Sequence, residues 1–97
     1  MSRREKKPHS QDLYRAVLLL KDEDECFKFF RDICSDSELL AMEQRFNVAK
    51  MLEDGKTYLE IQEATNASTA TISRVGRTFT EGTGIITKIL DEMDEKN

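Results

Sequence analysis

The 97-residue chain contains one histidine, one proline and two cysteines, and each scarcity removes a class of function. His9 stands alone. Cys26 and Cys34 form no C-x-x-C pair and have no histidine at metal-ligand spacing, so neither a zinc site nor a thiol redox motif is expected. A pair of small, buried, apolar cysteines is the simpler expectation. There is no Gly-rich phosphate loop and no grouping of carboxylates, His and Cys at catalytic spacing, so an enzyme is not expected. No apolar run is long enough to span a membrane, and no signal-peptide pattern opens the chain. These absences predict a soluble, cytoplasmic protein with reduced thiols. Pro8 is the sole proline, and nowhere do apolar and polar residues alternate as in a strand, which leaves an all-α fold of about six helices.

What is abundant is charge. Charged residues make up 35% of the chain, against about 25% in an average domain. A core drawn from the remainder is modest and gains from a partner subunit. The net charge of −4 argues against nucleic acid only until its distribution is considered. Arg3, Arg4, Lys6 and Lys7 face Glu5 alone in a basic arm over residues 1–9, which is expected to be disordered. Residues 68–80 hold Arg74 and Arg77 and no acid. The negative charge gathers instead at Asp22-Glu23-Asp24-Glu25 and from Asp91 to Glu95.

Residues 57–78, TYLEIQEATNASTATISRVGRT, read as a helix-turn-helix inside a single helical domain spanning 10–97. Thr57 and Glu60 stand at capping-box spacing ahead of a short helix whose apolar face is Ile61 and Ala64. Asn66-Ala67 makes the turn, because Asn tolerates the left-handed conformation that a tight helix end requires. Ser68 caps a second helix that opens on the small residues Thr69, Ala70 and Thr71. Ile72 and Val75 point inward, while Ser73, Arg74 and Arg77 lie elsewhere. Small residues let a helix N-terminus approach a major groove, where hydroxyl and guanidinium groups bond to bases or phosphates. The expected DNA-binding residues are therefore Thr57, Ser68, Thr69, Ala70, Thr71, Ser73, Arg74 and Arg77.

The rest of the chain supplies scaffold. An amphipathic helix runs from about Ser10, its cap, to Leu20, and a second carries Cys26, Phe27, Phe29, Phe30, Ile33 and Cys34 as core or dimer interface. Ser35 and Glu38 stand at capping-box spacing before the longest helix, about Asp36 to Asp54, with Leu39, Met42, Phe46, Ala49 and Leu52 as its apolar stripe. Gly55 stops that helix. Gly82-Thr83-Gly84 forms a hinge, and Thr83 caps a last helix faced by Ile86, Ile89, Leu90 and Met93.

The stretches S-D-S-E-L-L-A-M-E-Q-R (35–45), L-E-D-G (52–55) and A-T-I-S-R (70–74) resemble the Trp repressor superfamily, and more closely its YerC/YecD group, over roughly Leu13 to Leu90. The resemblance implies an intertwined homodimer with two projecting helix-turn-helix reading heads. It also implies an effector cleft. Arg45 and Arg74 match the arginines that hold tryptophan in the Trp repressor, and Ser35 and Thr78 match polar positions lining the same cleft. The chain departs from the pattern at Val75, where the repressor has glycine to make room for the indole. An isopropyl group in that space excludes a snug ligand, so no tryptophan is expected; the cleft is plugged or takes some smaller, unidentified effector. For Arg45 a surface or interface salt bridge is the simpler role. The chain departs again at Leu59 and Gln62, where the repressor presents basic side chains to DNA, and this lowers the expected affinity and salt dependence.

These readings converge on double-stranded DNA as the partner of a homodimeric transcriptional regulator, with no cofactor. The alternative is a helical adaptor that docks protein through the same motif, for which an exposed Leu59 and the acidic segments are suited.

Overall fold

The computed structural model describes residues 9–96, so the basic arm, apart from His9, lies outside the described residues. Six helices and no strand are found among them: α1 (Gln11–Leu18), α2 (Glu23–Ile33), α3 (Asp36–Glu53), α4 (Tyr58–Thr65), α5 (Thr69–Glu81) and α6 (Ile85–Lys96). They fall into two compact units that divide between Ser35 and Asp36.

The first unit is the pair α1 and α2. Ser10 occupies the N-cap of α1 but its side chain makes no capping bond, so the expected cap is positional only. Asp22 caps α2 in earnest: its carboxylate accepts the Glu25 N–H at 2.9 Å. Glu25 reciprocates by accepting the Lys21 N–H at 2.9 Å. Neither helix has a buried residue. Phe29 and Phe30 meet edge to face, with ring centroids 5.2 Å apart, and both are half-buried. Phe27 and Ile33 remain more than half exposed. The expectation of buried cysteines is corrected here, since Cys26 is exposed and Cys34 only half-buried. Two short helices offer each other too little apolar surface to close a core.

The second unit carries the core. Helix α3 packs against α4, α5 and α6, α4 against α5, and α5 against α6. Val48 and Ala49 of α3, Ile61 of α4, Ala67 of the turn, Ile72 and Val75 of α5 and Leu90 of α6 are buried together. Phe46, Met51, Leu52, Phe79 and Ile86 flank them. Ala64, expected on the apolar face of α4, is exposed instead, as is Met42 of the expected α3 stripe.

Glycine ends two of these helices for different reasons. At Gly55, φ is +82°, and the Gly55 N–H bonds to the Leu52 carbonyl while the Lys56 N–H bonds to that of Met51, each at 3.0 Å. Those are the two bonds of a Schellman end, which favours a residue free of left-handed strain. At Gly82 the limit is space: a Cβ there would stand 2.5 Å from the Thr78 carbonyl oxygen. Helix α6 then starts after Gly84, not Thr83; the Thr83 hydroxyl accepts only a long bond from the Ile85 N–H, at 3.4 Å.

Candidate nucleic-acid interface

The helix-turn-helix is built by reciprocal capping. Thr57 Oγ1 accepts the Glu60 N–H at 3.1 Å, and Glu60 Oε1 accepts the Thr57 N–H at 2.8 Å. This closed box pulls the Glu60 carboxyl below its ordinary range, first through the Thr57 backbone bond and then through the Thr57 side chain. Helix α4 ends at Asn66 with φ of +61°, in the left-handed conformation expected of it. Thr65 Oγ1 donates to the Ile61 carbonyl at 2.7 Å and accepts the Ala67 N–H at 3.2 Å, so the turn is tied on both sides. With Ala67 buried, the chain enters α5 at a fixed angle.

At the start of α5, Ser68 Oγ accepts the Thr71 N–H at 3.1 Å. It also donates its own proton to Thr71 Oγ1 at 3.1 Å. Ser68, Thr69 and Ala70 are exposed, and Thr71 is half-buried. Ile72 and Val75 are in the core, which turns the first turn of α5 outward. The helix therefore offers a short, hydroxyl-rich end lined with small side chains. Its N-terminal partial positive charge favours an anion there.

Ser73 is half-buried, and its Oγ lies 3.4 Å from the phenolic oxygen of Tyr58. Tyr58 is the first residue of α4, is 43% exposed, and bridges the two helices of the motif from outside. Tyr58 is not among the DNA-binding residues expected from the sequence. The available signal was a phenol in the first turn beside the Thr57 cap. Leu59, next to it, is 64% exposed.

Arg74 and Arg77 are exposed on α5, and Arg45 is exposed on α3. Among the described residues no carboxylate lies within 4.0 Å of any of the three, so Arg45 makes no surface salt bridge with them. Val75 is 6% exposed and belongs to the core cluster. Thr78 turns its hydroxyl proton back onto the Val75 carbonyl at 2.7 Å. Ser35 closes the first unit, while Arg45, Arg74, Val75 and Thr78 lie in the second.

A groove of about 250 Å³ lies between α3 and α6, away from these residues. It is lined by Lys50, Glu53, Asp54, Leu90, Met93 and Asp94. The Glu53 carboxyl is pushed above its ordinary range, first by partial loss of water. The charge of Asp91 and a hydrogen bond with it come next, and Asp94 and Asp54 add to the effect. No group of His, Cys, Asp and Glu that could hold a metal occurs among the described residues. None of their helices is long and apolar enough to cross a membrane.

The architecture is that of an all-helical protein whose central feature is a helix-turn-helix. The chain belongs to the Trp repressor family, whose model, described as Trp repressor protein, matches residues 9–94. It is similar to YerC, an uncharacterized protein of Bacillus subtilis (strain 168), with 45% identity over 83 residues, 86% of this chain and 80% of YerC. That match supports a place in the Trp-repressor-related YerC group. The crystal structure of a TrpR-like protein from Eubacterium eligens ATCC 27750 is also similar, with a TM-score of 0.83, 46% identity and 87% of each chain covered. The family is one of DNA-binding regulators rather than enzymes.

Proposed function

We propose that this protein is a sequence-specific transcriptional regulator, a cytoplasmic repressor that binds double-stranded DNA as a homodimer. The observation that carries the reading is the exposed, capped N-terminus of α5, held outward by Ile72 and Val75. Thr69, Ala70, Thr71 and Ser73 face base edges, directly or through water, and Thr methyl groups meet thymine methyl groups. Thr57 and Ser68 hold the two helix ends that approach the backbone, and Arg74 and Arg77 supply phosphate charge.

The homodimer is supported by apolar surface that one chain leaves uncovered. Leu18, Phe27, Ile33 and Ile85 are each at least half exposed. Side chains of this size on amphipathic helices gain about 1.5–3 kcal/mol each on full burial, which a second copy can provide. In such a dimer the two α5 helices enter successive major grooves about 34 Å apart. Arg45, Arg74 and Thr78 border the position of the family's effector cleft. Val75 fills that position, so tryptophan is not the effector, and any effector is smaller.

The second reading, a helical adaptor, is favoured by the exposure of Leu59 beside Tyr58 on α4. Selection from random duplex DNA separates the two. A regulator enriches a two-fold symmetric site; an adaptor enriches no sequence, even at low salt.

A further inference from the structure

The hydroxyl groups of α5 differ in where their protons go. Thr78 donates to the Val75 carbonyl at 2.7 Å and Thr80 to that of Arg77 at 3.4 Å, so both are turned onto their own helix. Thr71 is different. Its Oγ1 accepts the Ser68 proton at 3.1 Å, and among the described residues its own proton has no acceptor. Ser68 is committed twice over, because its oxygen also receives the Thr71 N–H.

A hydroxyl has one proton and two lone pairs. Ser68 occupies one lone pair of Thr71, and an oxygen that accepts a hydrogen bond becomes a better donor and a poorer acceptor. We propose that Ser68 sets the polarity of Thr71, making it a hydrogen-bond donor that reads acceptor atoms on a base edge. The inference rests on the DNA-binding reading and names what one of its residues selects. In the major groove guanine offers O6 and N7, adenine N7 and thymine O4 as acceptors, whereas cytosine offers only the N4 amino donor. A Thr71 biased to donate accepts guanine, adenine or thymine at its position and disfavours cytosine. Ser68 is then a positioning residue, since it acts on specificity through Thr71 without contacting the base.

The test is site selection from random duplexes by four full-length proteins: wild type, Thr71→Val, Thr71→Ser and Ser68→Gly. Glycine is well tolerated at an N-cap, so Ser68→Gly removes the hydroxyl at little cost to the helix, and circular dichroism checks its fold. Thr71→Val identifies the base position by abolishing preference there. At that position wild type and Thr71→Ser should disfavour cytosine by about fivefold, the worth of one net hydrogen bond. Ser68→Gly should narrow the ratio to below about twofold. The proposal is overturned if Ser68→Gly disfavours cytosine as strongly as wild type, or if Thr71→Val leaves every position unchanged. A wild-type protein that selects no sequence instead overturns the DNA-binding reading beneath it.

Discussion

Gln44 of α3 donates its side-chain amide to the main-chain carbonyl of Thr65, the last residue of α4, at 3.0 Å. That carbonyl is one of the orphan acceptors left by any helix end. The long helix thereby fixes where the first helix of the motif stops and where the turn into α5 begins. Replacing Gln44 with leucine keeps bulk but removes the donor and should cost about 1 kcal/mol. Urea denaturation should register that loss, and amide exchange should quicken at Asn66 and Ala67. Unchanged exchange at the turn would mean that the bond is incidental.

The Thr57–Glu60 box makes a pH-dependent contribution. The carboxyl of Glu60 lies below its ordinary range in the folded chain. Its contribution is therefore present above the unfolded value and is lost as pH falls through the depressed folded one. Thr57→Ala removes the acceptor for the Glu60 N–H and should cost about 1 kcal/mol. It should also move the Glu60 titration upward, toward the ordinary glutamate value, when followed by NMR.

Glu53 works in the opposite direction. Its folded carboxyl holds a proton more tightly than the unfolded one, because of partial desolvation and the neighbouring Asp91. Stability from this group therefore falls as pH rises from the ordinary 4.5 through the raised value. Glu53→Gln should be more stable than wild type at neutral pH, and the advantage should shrink as the solution is acidified. Thermal melts across that window will show it. A variant that loses stability at neutral pH would contradict the repulsion.

Much of the motif was legible in the sequence because it is local. Thr57 with Glu60, Asn66, and Ser68 ahead of small residues are signals read within a few positions, and each appears where the spacing placed it. Tertiary contacts were less legible. Val48 and Ala67 are buried because Ile61, Ile72, Val75 and Leu90 meet there, and helical periodicity alone selects a stripe including Met42 instead. Gln44 and Tyr58 find partners across 21 and 15 residues of chain, a separation that no local pattern encodes. The exposure of Phe27 and Ile33 on α2 is likewise a tertiary outcome that helical spacing alone does not encode.

Val75 gives a ligand prediction. Its side chain is buried in the core, and on the proposed reading it occupies the space that an indole would require. Calorimetry with tryptophan should show no heat beyond dilution. Binding at millimolar affinity or better would mean that α5 shifts to open the cleft, contrary to its packing.

The central claim is that the first turn of α5 meets the phosphate-lined groove of DNA. Fluorescence anisotropy of a selected duplex, titrated with wild type and with Thr71→Asp at about 50 mM salt, where phosphate contacts are strong, tests it most directly. The account predicts saturable binding by wild type and none by Thr71→Asp, with the variant's circular dichroism and oligomeric state unchanged, because a carboxylate there enters a groove walled by phosphates and meets base acceptors with no proton to donate. Equal affinity of the two proteins would contradict the assignment of α5 as the reading helix.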